Sequence, residues 1–267
     1  MSLYYFIEME LLIVIILGLC FGSFLTVVAY RVPRKLSIIN PARSYCPQTD
    51  KTLSTLENIP LLSYIIQGGK SKHNNKPIPI VYPLIEIITT AFALATYFRF
   101  GFSPTGILIF ALLCSLIAIS FIDIEFMIIP NVISLPGITI GLIIGAVSEY
   151  TNLFQYPITQ GAFDSLLGFL LGGGLFWLIG AVYFLLTKRE GLGGGDVKLL
   201  AMTGAILGYN SIVPTILSAS ILGVIFGVGT MLVKGGGRHS EIPFGPWLAI
   251  GAIIYIFGGT SLFPYAI

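Results

Sequence analysis

The chain has 267 residues, 55% of them hydrophobic and only 10% charged, with a formal net charge of +2. A soluble domain carries about 25% charged residues, so the composition excludes a soluble or secreted protein. It predicts an all-α polytopic integral membrane protein, with membrane lipids as its surroundings and no nucleic-acid partner.

The first apolar run, residues 11–29, is longer than the roughly 7–15 residues of a signal-peptide core. Glu8 and Glu10 precede it where a basic segment would stand. It therefore reads as a permanent span. A span needs about 20 apolar residues, and further candidates are 80–98, 105–122, 129–147, 165–186, 197–207, 212–233 and 242–257. About eight transmembrane helices result. The sixth run is short and fits a tilted or half-buried helix.

Lys and Arg are distributed very unevenly among the connections. Arg31, Arg34, Lys35, Arg43, Lys51, Lys70, Lys72 and Lys76 follow the first run. Lys188, Arg189 and Lys198 follow the fifth, and Lys234 and Arg238 the seventh; Arg99 alone falls on the other side. Basic loops stay in the cytoplasm, which predicts that both termini face outward. Three segments are expected: 1–30, the first span; 31–79, a small cytoplasmic domain between helices 1 and 2; and 80–267, the remaining membrane domain. The 31–79 stretch exceeds the length of ordinary connections, and such segments are usually functional or separately folded.

Two aspartates lie at the edges of hydrophobic runs. Asp123 ends the third run, and Asp196 follows Gly193-Gly194-Gly195 at the start of the sixth. The charge bias places both at the cytoplasmic face. Ionisable groups beside hydrocarbon are costly and point to function. Two carboxylates about 4 Å apart at an effective dielectric near 20 repel by roughly 4 kcal/mol. That equals about 3 pKa units, so such a pair keeps one proton and titrates as a unit. The ionised member can deprotonate water while the protonated member donates to a peptide carbonyl. The three glycines allow the backbone to approach an extended substrate. The plainer readings stay open: Asp196 as a helix N-cap after a glycine-rich turn, and Asp123 as a span-end residue facing water.

Among other polar residues, Glu86 in Tyr82-Pro83-Leu84-Ile85-Glu86 is a candidate for shaping the site or for a structural pairing. Lys198 either balances charge near Asp196 or extends its ammonium to the interface. Glu125 is two residues from Asp123 and off its helical face. His73 and His239 stand apart without ligand spacing, and Cys20, Cys46 and Cys114 form no disulfide framework. Gly172, Gly173 and Gly174 suit close helix packing.

Taken in order, these motifs resemble the type IV prepilin peptidase family, also called prepilin leader peptidase/N-methyltransferase. The stretch Gly22-Ser23-Phe24-Leu25-Thr26-Val27-Val28-Ala29-Tyr30-Arg31-Val32-Pro33 is similar to the family's opening signature, with Thr26 where Asn is usual. Glu57-Asn58-Ile59-Pro60-Leu61-Leu62-Ser63-Tyr64 resembles its cytoplasmic motif, and the Glu86 motif follows. Asp123-Ile124-Glu125-Phe126-Met127-Ile128-Ile129-Pro130-Asn131 and Gly193-Gly194-Gly195-Asp196-Val197-Lys198 resemble its two aspartate motifs, the second carrying the GxGD signature. Pro243-Phe244-Gly245-Pro246 completes the set.

The resemblance implies Asp123 and Asp196 as catalytic residues, with Gly193, Gly194, Gly195, Lys198 and Glu86 binding substrate or shaping the site. It implies type IV prepilin or type II secretion pseudopilin substrates, cleaved at the cytoplasmic face of the bacterial inner membrane without a cofactor. Many members then methylate the new N-terminus with S-adenosylmethionine. Many also carry two CxxC pairs that bind zinc. Here those positions read Cys46-Pro47-Gln48-Thr49 and Ser71-Lys72-His73-Asn74, and one thiolate cannot build a four-ligand site, so no zinc is expected. Two other functions remain compatible with the aspartates: a presenilin- or preflagellin-peptidase-like intramembrane protease, and a transporter using them as ion sites.

Overall fold

A chain whose apolar runs match the bilayer thickness satisfies its backbone polar groups by forming helices. The computed structural model describes residues 2–40, 52, 54, 56–72, 74–188, 193–234 and 243–262, and among these the regular structure is helical. The expectations placed on Arg43, Cys46, Lys51, His73, Arg189, Arg238 and His239 lie outside the described residues. The chain divides into two compact units, Met1–Ala118 and Ile119–Ile267.

The first unit is built on α1 (Ser2–Arg31) and α3 (Val81–Phe100). Gly18 and Gly22, one turn apart on α1, let the two backbones meet. A Cβ at Gly18 would stand 2.7 Å from Thr90 Cα, and one at Gly22 would stand 2.7 Å from Glu86 Cα. This is small-xxx-small packing, which replaces the hydrophobic drive absent in lipid. Near the N-terminal end the Tyr97 hydroxyl donates to Glu10. That bond gives one of the two acids preceding the first span a partner on α3. Beyond the other end, Arg31 is 4% exposed and donates to the carbonyls of Ser37 and Ile38. The connecting segment contributes one 3-10 turn, Leu56–Asn58, and the short α2 (Leu62–Ile66). Gly101, at φ +62°, ends α3, and α4 (Pro104–Phe126) begins three residues later. Within this unit Phe110 of α4 meets Phe21 of α1 edge-to-face at 5.4 Å.

The second unit receives the end of α4 and then α5 (Asn131–Tyr150). Next comes a continuous apolar segment made of α6 (Ala162–Phe169), a π-helical turn Leu170–Leu175 and α7 (Phe176–Thr187). It closes with α8 (Gly194–Leu207), α9 (Ile212–Lys234) and α10 (Gly245–Leu262). The core is α8, in which every residue from Leu199 to Leu207 is buried. Its neighbours approach on small-residue faces. A Cβ at Gly141 of α5 would lie 2.7 Å from Ala205, and one at Gly172 would lie 2.5 Å from the Leu200 carbonyl. The Ser165 hydroxyl sits between the carbonyls of Ala205 (2.7 Å) and Gly141 (3.1 Å), where all three helices meet. At the C-terminal end of α8 the Asp164 carboxylate accepts from the Thr159 hydroxyl and from the N–H groups of Gln160 and Tyr209.

Among the described residues, six helices are long and apolar enough to cross a membrane: Glu8–Arg31, Val81–Phe100, Pro104–Phe126, Asn131–Tyr150, Ala162–Thr187 and Tyr209–Leu232. Gly245–Gly259 is a shorter apolar helix. The sixth run of the sequence forms α8, whose 14 residues span about 21 Å against a hydrocarbon core of about 30 Å. It is enclosed by other helices of its unit, so its length is not set by lipid. The protein is a multi-pass, all-helical membrane protein.

Candidate active site

Asp123 occupies the last turn of α4 and is 5% exposed. Its Oδ2 accepts the backbone N–H of Gly245 at 3.0 Å. Gly245 opens α10, so this N–H is one of the donors a helix leaves unpaired at its start, and the helix dipole there favours a carboxylate. The approach requires a glycine, because a Cβ at 245 would stand 2.7 Å from Asp123 Oδ2. After Asp123 the chain turns sharply. Met127 adopts φ +56° and returns its N–H to the Asp123 carbonyl at 2.9 Å, which ends α4.

Asp196 lies in the first turn of α8. Gly193 takes the N-cap place, so Asp196 is not the cap that the plainer reading of the sequence offered, and no side-chain capping bond forms there. Its backbone N–H bonds the Gly193 carbonyl at 3.0 Å, and its carboxylate folds back over Gly193. A Cβ at Gly193 would lie 2.8 Å from Asp196 Oδ2, whereas one at Gly194 would meet nothing within 4 Å. Burial, and secondly the Asp123 carboxylate, push the Asp196 carboxyl up to about 6. The two aspartates, 73 positions apart in sequence by their numbers, are therefore electrostatic neighbours.

Ile129 connects the two motifs physically. It is 8% exposed, and its side chain lies against both Gly195, which precedes Asp196, and Gly245, which holds Asp123. A Cβ at Gly195 would be 2.9 Å from Ile129 Cβ, and one at Gly245 would be 3.2 Å from Ile129 Cδ1. A second tie runs from Lys198 Nζ to Asn131 Oδ1 at 2.8 Å, joining the start of α8 to the start of α5. Lys198 thus has a defined amide partner.

Glu86 belongs to the first unit. It is 8% exposed, accepts the Leu61 N–H at 2.8 Å and also hydrogen-bonds Ser23. Glu125 is exposed. No group of three or more His, Cys, Asp or Glu side chains able to hold a metal occurs among the described residues. Gly245, Ile129 and Asn131 were not singled out by sequence reasoning. All three stood inside the motifs quoted above without a role, and a backbone donor such as the Gly245 N–H has no signature in the sequence.

A buried carboxyl held by a backbone donor, beside a second whose proton is held up to about pH 6, is equipped for general acid–base hydrolysis through water. Comparison with known proteins points the same way. Residues 16–100 match the model of the bacterial peptidase A24 N-terminal domain, and residues 110–228 match that of the type IV leader peptidase family. A prepilin leader peptidase/N-methyltransferase of Xanthomonas campestris pv. campestris is 36% identical over 270 residues, covering 92% of this chain and 90% of that protein. Proteins of the same name from Pseudomonas aeruginosa (33% over 271 residues, 93% and 90% covered) and Aeromonas hydrophila (32% over 275 residues, 94% and 91% covered) are also similar. No solved structure matches the chain. Both family models align in order and the relatives are matched almost end to end, so the chain belongs to the type IV leader peptidase family.

Proposed function

We propose that this protein is an aspartic endopeptidase that removes the leader peptide from type IV prepilins or type II secretion pseudopilins, with Asp123 and Asp196 as its catalytic pair. The observation that carries this reading is geometric: Ile129 packs against both Gly195, which precedes Asp196, and Gly245, which holds Asp123, so motifs from α4 and α8 share one site in which the Asp123 charge also acts on Asp196. The names of the relatives support prepilins as the substrate class, and the pseudopilins rest on the motif resemblance.

In this mechanism Asp196 holds the shared proton, because burial and the neighbouring charge favour its neutral form. Asp123, whose Oδ2 is engaged by the Gly245 N–H, has its second oxygen left to take a proton from a water molecule. Asp123 takes a proton from that water as it attacks the scissile carbonyl. Asp196 gives its proton to the carbonyl oxygen, forming a neutral gem-diol. Collapse returns a proton from the gem-diol to Asp196, while the proton held by Asp123 passes to the leaving amine. Gly194 leaves the backbone beside Asp196 open for the substrate chain, while Gly193 and Gly195 shape the site by making room for the Asp196 carboxylate and for Ile129. Glu86 and Lys198 act through the segments they tie down.

The basic-residue bias supports a cytoplasmic location for both aspartates in a bacterial inner membrane, with both termini outside. We extend the reading to transfer of a methyl group from S-adenosylmethionine to the new amino terminus, as the relatives' names suggest.

The test is cleavage of a prepilin by the full-length protein in membranes. Asp123→Asn and Asp196→Asn, each folded and expressed at the wild-type level, are expected to abolish cleavage. Wild-type cleavage by either variant overturns the pair. For methyl transfer the readout is the mass of the processed N-terminus at saturating S-adenosylmethionine, and a mature product without the added methyl overturns that activity.

A further inference from the structure

The connection between α1 and α3 reads as polar, yet its described core is tied to the flanks of two spans. The Leu61 N–H donates to Glu86 Oε2 at 2.8 Å. Glu86 lies five residues inside α3 from Val81, about 7 Å along the helix. The same residue packs on Gly22 of α1, nine residues before that helix ends at Arg31, or about 13 Å. A glutamate in a helix reaches back toward the helix start, so this bond ties the Leu61 backbone to the end of α3 that opens at Val81, beside the end of α1 at Arg31.

The side chains around it are those of an interfacial element. Leu62 is 48% exposed, Ile65 71% and Ile66 67%, and Leu56 and Ile80 are exposed as well. Directly after α2, Tyr64 closes over Gly69 and the chain folds into a small loop joined by the Lys70–Pro77 bridge. That loop exposes Lys70, Lys72 and Lys76. Amphipathic segments seated at a bilayer surface bury their apolar side about 5–10 Å into the headgroup and acyl boundary. Basic residues just cytoplasmic of a span are drawn to anionic lipid headgroups.

We infer that residues 59–72 and 74–76 form a membrane-surface anchor, with Leu62, Ile65 and Ile66 inserted among the lipids and Lys70, Lys72 and Lys76 on anionic headgroups. The occupant of this face is lipid. The tie of Leu61 to the span end through Glu86 and the charge complementarity of the lysines favour it over a protein partner. Glu86 then has a defined task in a span: its bond to the Leu61 N–H holds the anchor at the end of α3.

The test uses the full-length protein with Cys20, Cys46 and Cys114 replaced by Ser and Ile65→Cys carrying an environment-sensitive fluorophore. The protein is reconstituted into phosphatidylcholine vesicles with and without phosphatidylglycerol. With phosphatidylglycerol present, a spin-labelled phospholipid is expected to quench the fluorophore severalfold more than aqueous iodide. Combined Lys70→Gln, Lys72→Gln and Lys76→Gln substitutions are expected to shift that ratio toward iodide. Dominant iodide quenching in anionic vesicles overturns the proposal, as does a ratio indifferent to the lysines. Lipid quenching lost on addition of a prepilin assigns the face to a protein partner and overturns the lipid assignment.

Discussion

Gly245 donates its backbone N–H to Asp123 Oδ2 across a sequence separation of 122 residues. The start of α10 therefore acts as the orienting partner of a carboxyl on α4. Because the donor belongs to the main chain, side-chain substitution cannot remove it, but crowding can displace it. Gly245→Ala would place a methyl carbon 2.7 Å from that oxygen. A displacement of about 1 Å at reacting groups can lower a rate on the order of 100-fold. The expected outcome is a large loss of kcat on a prepilin with little change in thermal unfolding.

Ile129 is the spacer between the two glycine-backed supports. Ile129→Val removes one methyl from a buried contact and is expected to cost about 0.5–1.5 kcal/mol of stability. Ile129→Ala is expected to cost about 2–5 kcal/mol. Both changes let Gly195 and Gly245 resettle, so the pH–rate profile is expected to shift as well. An unaltered profile alongside the stability loss would show that Ile129 only packs.

The pH dependence follows from Asp196. Its carboxyl is raised from 3.8 to about 6, by burial first and by Asp123 second. With Asp196 as the proton donor, kcat/KM for the free enzyme falls as pH rises above about 6. For stability the sign is that of a raised acid: the folded state binds the proton more tightly than the unfolded state. The contribution is complete below about pH 3.8 and is lost as pH rises through about 6. Asp196→Asn, which cannot ionise, is expected to flatten the unfolding curve across that window, measured by thermal denaturation in detergent at several pH values.

Glu86→Ala leaves the Leu61 N–H without its acceptor. The bond is only partly buried, so its loss is expected to cost about 0.5–1.5 kcal/mol. Faster amide exchange is expected at Leu61 and through α2, and Glu86→Gln, which keeps an acceptor oxygen, is expected to restore most of the protection. Equal exchange in all three proteins would remove Glu86 as the holder of that segment.

The sequence made Asp123 and Asp196 legible because a carboxylate bordering an apolar run is costly wherever it lies, and the uneven lysines and arginines oriented the runs. The helical architecture followed from run length alone. The role of α8 was harder to read, since an 11-residue apolar run is equally a short span or a core helix, and only enclosure by α5 and α6 decides. Lys198 was readable as a charge near the site, but its amide partner on α5 depends on how the α4–α5 turn is aimed. The Glu86–Leu61 bond was invisible for a similar reason. It joins a side chain in one helix to a main-chain donor in a segment with no periodicity of its own.

The π-helical turn at Leu170–Leu175 has a consequence for how this segment tolerates change in length. Successive residues of an α-helix point about 100° apart, so two adjacent glycines do not normally share one neighbour. Here Gly172 meets Leu200 and Gly173 meets Ala201, both on α8. The wider turn holds one residue more than the α-helical register. Deleting one residue there would relax it to an α-helix with α6 and α7 still in phase, whereas a deletion in either flanking α-helix would swing everything beyond it by about 100°. The deletion would cost the side-by-side approach of Gly172 and Gly173 to α8 and leave the contacts on either side facing as before. Length at this turn can therefore change without turning the rest of the segment.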